Sequence, residues 1–304
     1  MLNKLKEKMF GKDNKQLLQE TLKQITLKRK EHQTLVLCGT PTDGNWLGIA
    51  IATKNIYPEN TIDIPQWYSN SVFNPKETRL ICQKIKELKF EKIIFSGFAS
   101  YFFEWINLLN EYTYIEIIFH GTISEFNEKT KQEFIGNVIK YSKQNKIKNI
   151  GFIKKGLSEV FKKLYGINSF HQILPVPKIT HNIKKIELEK NKIHIGVFGI
   201  DNFNKNIHNQ VIYSLTIKNT IIHVLDKSNF AYLNLDDRII AHGKNLPREV
   251  FLNILGSMDF NLHMSYNESF GLIAHESEAL GVPCIILEDV DYIKKIHCII
   301  YNKK

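Results

Sequence analysis

Cysteine is scarce in this chain of 304 residues, and its four cysteines lie far apart with no CxxC pair among them (Cys38, Cys82, Cys284 and Cys298). Their spacing excludes the closely paired ligands of a structural zinc site. Three of them fall within or beside apolar runs, where buried free thiols are common. We therefore expect free thiols and a reducing, cytoplasmic compartment.

Long apolar runs are absent as well. No stretch approaches the roughly 20 residues that a membrane-spanning helix needs. The beginning of the chain is rich in lysine and lacks the apolar centre of a secretory signal peptide. The hydrophobic content of 43% is nevertheless sufficient for packed cores. The sequence predicts a cytoplasmic globular protein.

Motifs of nucleic-acid recognition do not accompany the net charge of +10. No zinc-finger, RNA-recognition or helix-turn-helix pattern occurs. Lysine far outnumbers arginine and alternates with asparagine and isoleucine along the whole chain, a bias typical of AT-rich coding sequence rather than of a basic binding patch. A nucleic-acid partner is therefore not expected.

The segment 1–32 concentrates positive charge, with nine Lys/Arg against four Asp/Glu. Leu17, Leu18, Leu22 and Ile25 recur at helical spacing, which predicts a basic amphipathic helix. We favour the interpretation that this stripe packs on the first domain. The alternative is attraction to an anionic leaflet, of order 1 kcal/mol per basic residue, which would hold the protein peripherally at the inner face of the membrane.

Apolar runs of strand length alternate with longer helical patterns, which favours an α/β fold of two Rossmann-like domains with helix-covered parallel sheets. The predicted strands are Thr34–Cys38, Thr61–Ile64, Lys92–Ser96, Tyr114–Phe119, Asn149–Ile153 and Ser169–Pro175, then Ile193–Phe198, Thr220–Leu225, Arg238–Ala241, Met258–Met264 and Val282–Leu287. The predicted helices are Lys76–Leu88, Tyr101–Leu109, Glu125–Ser142, Asn206–Ser214, Pro247–Leu255 and Gly271–Leu280.

Two prolines mark the expected hinge, since Pro175-Val176-Pro177 opposes both helix and inner strand. We predict a first domain over 33–178, a linker over 179–191 and a second domain over 192–304. Ligands of open α/β sheets bind beyond the carboxyl ends of the strands, and two such domains face to face enclose a cleft. Candidate residues are therefore sought at the strand ends.

The most informative motif is a pair of glutamates eight positions apart, Glu268 and Glu276, around the turn Ser269-Phe270-Gly271-Leu272. A helix that starts near Gly271 offers unpaired N–H groups and a positive dipole end to a diphosphate. Glu268 precedes that helix, where it would meet a sugar, and Glu276 lies far enough along it to accept hydrogen bonds from ribose hydroxyls. Two surface glutamates on an ordinary helix are the alternative.

From Ser265 to Ile286, including Gly281-Val282-Pro283, the sequence resembles the family 4 group of GT-B glycosyltransferases, whose hallmark is Glu, seven residues, Glu. The resemblance implies two Rossmann-like domains facing a cleft, and transfer of a sugar from a nucleotide-sugar donor to a polysaccharide or glycolipid acceptor. It also implies retention of configuration. Glu268 would be catalytic, while Ser269, Phe270, Gly271, Leu272 and Glu276 would bind the donor.

Two strand ends supply further candidates. Gly199 ends a predicted strand and Lys205 follows in the loop, similar to the family segment that holds the donor phosphates, although Ile200 stands where the family commonly has arginine. A lysine merely exposed on a loop is the alternative. His120 ends a strand of the first domain, and the resemblance gives it contact with the donor sugar; an ordinary packed or surface histidine is equally admissible. Thr122 would bind substrate or cap the next helix.

The first strand leads into Gly39-Thr40-Pro41-Thr42-Asp43-Gly44-Asn45, similar to the opening of polysaccharide pyruvyl transferases. Glycines after a strand let backbone N–H groups approach a ligand closely. We interpret Gly39, Thr40, Gly44 and Asn45 as an acceptor-side loop. A tight turn without a ligand is the alternative.

No metal or other cofactor is expected. The acidic pairs Asp236-Asp237 and Asp289-x-Asp291 are interpreted as solvated turns. Only Glu288–Lys304 follow the last predicted strand, whereas enzymes of this family usually continue through another strand and helices. The second domain is therefore predicted to be shortened, and a non-catalytic glycosyltransferase-like partner, or a pyruvyl transferase-like enzyme, stays open beside a glycosyltransferase.

Overall fold

The computed structural model describes residues 14–41, 47–67, 70–122, 124, 128–175, 179, 182–199, 203–226, 236–244, 246–287 and 298–301, without the side chains of 41, 47, 67 and 298–301. The chain divides into two compact units, Met1–Pro175 and Val176–Lys304. The division falls at the first proline of the expected hinge.

Unit 1 contains a seven-stranded sheet in the order β3-β2-β1-β4-β5-β6-β7. Its strands are β1 (Thr34–Pro41), β2 (Thr61–Trp67), β3 (Asn70–Ser71), β4 (Lys92–Ser96), β5 (Tyr114–Phe119), β6 (Asn149–Phe152) and β7 (Ser169–His171). Neighbouring strands are parallel except for the short pair β2 and β3. The carboxyl ends of the parallel strands therefore share one edge of the sheet.

The helices described in unit 1 are α1 (Asn14–Glu31), α2 (Leu47–Ile56), α3 (Pro75–Leu88), α4 (Phe102–Leu109), α5 (Lys129–Lys143) and α6 (Leu157–Tyr165). Helix α3 shows why the sequence folds locally. Asn74 accepts from the amides of Lys76 and Glu77, the Glu77 side chain accepts from the Asn74 amide, and Pro75 occupies the first turn. The helix ends at Lys89, which adopts a left-handed φ of 52°.

The core of unit 1 explains why its central strands were readable from the sequence. Strands β4 and β5 are buried almost throughout, because helices cover both faces of a parallel sheet. Continuous apolar runs such as Ile93–Phe95 are the result. Helices α2 and α6 were not predicted, and neither was the two-residue strand β3.

Helix α1 packs on this core. Ile25 is fully buried, and Leu17, Leu18 and Leu22 pack against the same cluster. The Arg29 side chain donates a hydrogen bond of 2.8 Å to the carbonyl of Leu88 at the end of α3. The favoured interpretation of the N-terminal stripe is therefore confirmed. Among the described residues, no helix combines the length and apolar character that crossing a bilayer requires.

Unit 2 contains a six-stranded parallel sheet in the order β10-β9-β8-β11-β12-β13. Its strands are β8 (Ile193–Val197), β9 (Thr220–Val224), β10 (Ile239–Ala241), β11 (Phe260–His263), β12 (Cys284–Leu287) and β13 (Cys298–Tyr301). Its described helices are α7 (Ile207–Leu215), α8 (Arg248–Leu255) and α9 (Leu272–Ala279). The predicted α/β class and two Rossmann-like domains are thus confirmed.

Strand β13 corrects the sequence analysis. We expected no further strand after β12, but Cys298–Tyr301 pairs in parallel with Cys284–Leu287. A four-residue run that follows a polar stretch is too short to be recognised as a strand from the sequence. It becomes a strand through its pairing with β12.

The predicted linker over 179–191 packs against unit 2. Ile183 and Ile186 contact the apolar cluster beneath α8. The amide of Lys184 donates to Asn253 at 2.9 Å, and the amide of Ile186 donates to the Ser257 hydroxyl at 2.8 Å. Residues 182–192 form neither helix nor strand, yet these two amides are bonded to α8 and the turn after it.

Three histidines join the first strands of unit 2. His194 Nδ1 lies 2.9 Å from His223 Nε2, and His223 Nδ1 lies 2.8 Å from His242 Nε2. At the other end, His194 Nε2 lies 2.9 Å from the carbonyl oxygen of Glu189. Burial, with smaller contributions from His242 and His194, lowers the pKa of His223 to about 3. His223 is therefore held neutral at ordinary pH.

Candidate functional site

Lys205 and Glu268, predicted separately from the sequence, meet at the carboxyl edge of the sheet in unit 2. Lys205 ends a short 3-10 turn after β8, and Glu268 lies between β11 and α9. Because β8 and β11 are neighbours, their following loops adjoin. The Lys205 ammonium lies 2.6 Å from Oε1 of Glu268, and His263 Nε2 lies 3.1 Å from the same oxygen. His263 was not singled out by the sequence analysis.

The environment of Glu268 keeps its carboxylate ionised. The side chain is almost fully buried, and burial alone would raise its pKa. His263 and Lys205 outweigh burial and hold the pKa of Glu268 well below its usual range. Glu268 is therefore a hydrogen-bond acceptor with no proton to give at ordinary pH.

Two polar side chains, one on α7 and one directly before it, fix the loop that carries Lys205. Gln210 is almost fully buried, and its amide donates to the Lys205 carbonyl at 2.7 Å while its oxygen accepts from the Met264 amide at 3.0 Å. Asn206, at a left-handed φ of 54°, donates to the Met264 carbonyl at 3.0 Å. These bonds tie the loop after β8 to the end of β11, which leads to Glu268. A glutamine on a helix gave no sequence signal for this role.

Glu276 is held differently. It lies on α9 with no exposed surface, and the Arg248 guanidinium of α8 donates a short hydrogen bond to its Oε1. Among the described residues, Oε2 has no hydrogen-bond partner. Burial raises the pKa of Glu276, against the opposing effects of Arg248 and His263. One oxygen is thus occupied, and the other can accept a hydroxyl proton.

Helix α9 begins at Leu272, next to the predicted start near Gly271. Gly271 adopts a left-handed φ of 74° immediately before Leu272, and no side chain in the described part of the sequence caps the helix. Phe270 stacks on His275 with ring centroids 4.0 Å apart, which fixes the turn against the helix. Ser269 is partly exposed beside them. Two helix amides and a dipole end therefore lie close in sequence to Glu268.

Gly199 lies two residues after the end of β8, in the loop that leads towards Lys205. A Cβ built on it would come 2.7 Å from Cδ1 of Ile207, so the loop passes tightly over the first turn of α7. Ile200 lies outside the described residues.

In unit 1, His120 lies just past β5 and its Nε2 is 2.9 Å from the hydroxyl of Ser96 at the end of β4. Ser96 is in turn 2.6 Å from the hydroxyl of Thr53 on α2. Burial lowers the pKa of His120 to about 4, so the imidazole is neutral at ordinary pH. The Thr122 hydroxyl lies 2.8 Å from the hydroxyl of Ser124.

The predicted acceptor-side loop needs correction. Gly39 and Thr40 belong to β1, paired with Ile64 and Pro65 of β2, and do not form a loop. Gly39 is required for packing, because a Cβ there would lie 2.5 Å from the carbonyl oxygen of Gly97. Thr40 donates to Asp63 at 2.8 Å. The partners Gly44 and Asn45 lie outside the described residues.

Acidic residues near strand ends do not assemble a metal site in the part of the chain that the structure describes, where no group of three or more His, Cys, Asp or Glu is suitably arranged. Asp236 hydrogen-bonds to Arg238 in the turn before β10, as a solvated turn would. Asp289 and Asp291 lie outside the described residues.

Comparison with solved structures identifies the fold. The chain is similar to Anabaena HepE in complex with UDP and glucose (TM-score 0.60, 10% identity, 89% of this chain and 86% of that chain covered). It is also similar to sucrose-phosphate synthase from Thermosynechococcus elongatus (0.59, 12%, 85% and 82%) and to WaaG, a glycosyltransferase involved in lipopolysaccharide biosynthesis (0.55, 13%, 88% and 85%). No family model and no curated protein matches the sequence. The chain therefore has the GT-B fold.

Proposed function

We propose that this protein is a glycosyltransferase that moves a sugar from a nucleotide-sugar donor to a polysaccharide or glycolipid acceptor. The observation that carries the proposal is Glu276, a fully buried carboxylate with one oxygen on Arg248 and the other without a partner among the described residues. An unpaired buried acceptor costs about 1–3 kcal/mol of stability. We therefore infer that a ligand hydroxyl is the donor that this oxygen lacks.

The donor fits the edge of unit 2 in three parts. Glu276 would accept from the ribose hydroxyls, and the amides at Leu272 and Ile273 would face the diphosphate. Lys205 gives one ammonium proton to Glu268 at 2.6 Å and has two more for a phosphate oxygen. HepE, which shares the fold, was solved with UDP and glucose.

Catalysis would then depend on charge at the leaving group. Departure of a nucleoside diphosphate leaves negative charge on its phosphate while the sugar becomes oxocarbenium-like. Lys205 and the start of α9 would stabilise that charge, each by a few kcal/mol on the barrier. Ionised Glu268 would hold sugar hydroxyls. In unit 1, the family resemblance would give His120 a contact with a donor sugar. The family resemblance would give retention of configuration, and Lys205 with the start of α9 would do without a metal ion.

Thermal shift with UDP-, GDP- and CMP-sugars tests the donor site directly. We expect stabilisation of the wild type by one nucleotide class and its loss in Glu276→Gln. The matched control is Glu249→Gln, an exposed glutamate on α8 of the same unit, which should respond like wild type. No stabilisation of the wild type by any nucleotide would refute the proposal.

A second candidate is a non-catalytic glycosyltransferase-like partner, favoured by Ile200 in the place of the family arginine. It predicts the same nucleotide binding but no donor hydrolysis and no transfer at saturating donor. Product release measured by chromatography separates the two candidates.

We further propose a cytoplasmic location with peripheral attachment to an anionic membrane. Because the apolar stripe of α1 is used by the core of unit 1, attachment would be electrostatic, through exposed Lys15, Lys23 and Lys30. The protein should sediment together with phosphatidylglycerol vesicles at low salt and not at high salt. It should not sediment with phosphatidylcholine vesicles at either salt concentration. Equal sedimentation with both vesicle types would contradict this.

A further inference from the structure

A directed chain of hydrogen bonds ends on His120. Thr53 and Ser96 are both fully buried, on α2 and at the end of β4. The Thr53 hydroxyl lies 2.8 Å from the carbonyl oxygen of Ile49, one helical turn earlier, and 2.6 Å from the Ser96 hydroxyl. Ser96 lies 2.9 Å from Nε2 of His120. Three elements thus supply one continuous row of polar atoms.

The direction of every bond follows from the end at Ile49. A carbonyl oxygen only accepts, so the single hydroxyl proton of Thr53 is used there. Ser96 must then donate to Thr53, and having spent its own proton it can only accept from His120. The proton of the imidazole therefore lies on Nε2.

The opposite nitrogen is left with its lone pair. His120 makes no other hydrogen bond among the described residues, and with burial the ring stays neutral, its pKa lowered to about 4. Nδ1 is consequently an acceptor, which cannot donate to a phosphate or act as an acid at neutral pH.

Ionisable neighbours do not disturb this assignment. Cys38 of β1 lies beside Thr53, and burial raises the pKa of its thiol to about 11. Asp63 of β2 is paired with Lys54 of α2 at 2.7 Å. Tyr101, before α4, is near Cys38, and burial raises the pKa of its phenol. At neutral pH these groups contribute a neutral thiol, a neutral phenol and a compensated ion pair.

We propose that Thr53 and Ser96 are positioning residues that fix His120 with its proton on Nε2, so that Nδ1 accepts a hydrogen bond from a substrate hydroxyl. The tautomer itself needs no substrate. That the substrate hydroxyl belongs to a sugar is the only part of this proposal that rests on the proposed function.

Two-bond proton–nitrogen NMR correlation on protein labelled with ¹⁵N-histidine tests the tautomer. The chain has eleven histidines, and His120→Gln assigns the signal by its loss. At neutral pH we expect a protonated Nε2 and a lone-pair Nδ1 shift for His120. A proton on Nδ1 in the wild type would overturn the proposal, whatever the variants do.

Thr53→Val makes the sharpest variant, because it removes the acceptor of Ser96 while keeping the shape of the side chain. The Ser96 proton should then turn to Nε2 of His120, and the ring should change to the Nδ1–H form. Thr53→Ser restores the hydroxyl and should restore the wild-type tautomer. Ser100→Ala, an exposed serine of the turn before α4, is the control and should change nothing. An unchanged tautomer in folded Thr53→Val would refute the role of the chain.

Activity separates this inference from the proposed function. If the protein transfers sugars, Thr53→Val should lower kcat/KM at least about tenfold, with unchanged nucleotide affinity and recovery in Thr53→Ser. A reversed tautomer with unaltered kcat/KM would refute the substrate contact. The predicted tautomers without any transferase activity would sustain the positioning role and refute the proposed function.

Discussion

The carboxyl edges of the two sheets differ in the kind of interaction that holds their polar side chains. In unit 1, Thr53, Ser96 and His120 form a neutral row in which the direction of each proton is fixed. In unit 2, Lys205 pairs with Glu268 and Arg248 pairs with Glu276. Two sheets of the same architecture thus present an oriented acceptor at one edge and fixed charges at the other.

The difference matters because neutral and charged edges respond to different perturbations. A neutral row depends on which atom carries a proton and is almost insensitive to salt. Buried ion pairs depend on both partners being ionised, and loss of one partner leaves an uncompensated charge. The two edges can therefore be compared by four kinds of change: substitutions that disturb packing, removal of a buried charge, a change of pH, and removal of an exposed ion pair.

The largest effects should come from the glycines beneath the two edges. Gly39→Ala would press a Cβ to 2.5 Å from the backbone of Gly97, and Gly196→Ala would collide with buried Asn261 and Phe198. Each should lower the free energy of unfolding by about 1–3 kcal/mol or more in urea denaturation. Gly136→Ala, in α5 with open space around it, should instead add about 0.5–1 kcal/mol. Tolerance of either buried substitution would contradict the close packing.

Replacing each of the two glutamates with glutamine should change stability and nucleotide affinity to different extents. Glu268→Gln should cost about 1.5–3 kcal/mol in unfolding free energy at neutral pH, because the fold favours the ionised form. Glu276→Gln should cost less than Glu268→Gln, because burial raises the pKa of Glu276 whereas the pKa of Glu268 is lowered, so the fold favours ionisation of Glu276 less. Nucleotide affinity should nevertheless fall by about 1–3 kcal/mol in Glu276→Gln. Equal destabilisation by both variants would show that the two carboxylates are held alike.

Acidification should destabilise unit 2 through its histidine chain. The pKa of His223 is lowered from its ordinary value of 6.5 to about 3, so the unfolded chain binds more protons between these values and stability falls as pH falls. The slope from one histidine is at most about 1.4 kcal/mol per pH unit. His223→Gln should flatten the unfolding free energy measured from about pH 7 to about pH 5. His208→Gln, an exposed histidine on α7, is the control, and the same slope in both variants would remove His223 as the cause.

The smallest effect is expected for the ion pair of unit 1. Lys54 and Asp63 are 2.7 Å apart, but their side chains are 50% and 41% exposed, so Lys54→Met should change the unfolding free energy by less than about 1 kcal/mol. Lys205→Met, which strips buried Glu268 of its ammonium, should cost more. Chemical denaturation of both variants in low and high salt makes the test. A larger loss of unfolding free energy in Lys54→Met than in Lys205→Met would contradict the conclusion that charge pairs matter more in unit 2 than in unit 1.

Much of the fold could be predicted because buried parallel strands are continuous apolar runs. Ile93–Phe95 and Ile115–Phe119 read as strands without knowledge of their neighbours. Helix α2 was missed since the preceding Gly39-Thr40 motif drew the interpretation towards a loop. Strand β13 was missed since four residues specify a strand only through the partner they pair with.

The site divides in the same way. The sequence alone predicted the residues that belong to a motif with fixed spacing, namely Glu268, Gly271 and Glu276. It also predicted Lys205, because this lysine follows a predicted strand and a glycine. Arg248, His263 and Gln210 act through contacts with residues distant in the chain, and serine or threonine in a strand or helix is too common to single out Ser96 and Thr53. Their roles are set by which loops adjoin, which only the folded sheet specifies.

Strand β13 has a practical consequence for handling this protein. It covers the outer backbone groups of β12 with a four-residue parallel pairing. A shortened version that stops before residue 298 would leave the N–H and C=O groups along Cys284–Leu287 open to pairing with another chain. Light scattering would then rise with protein concentration, and trimming for crystallisation should stop after Tyr301.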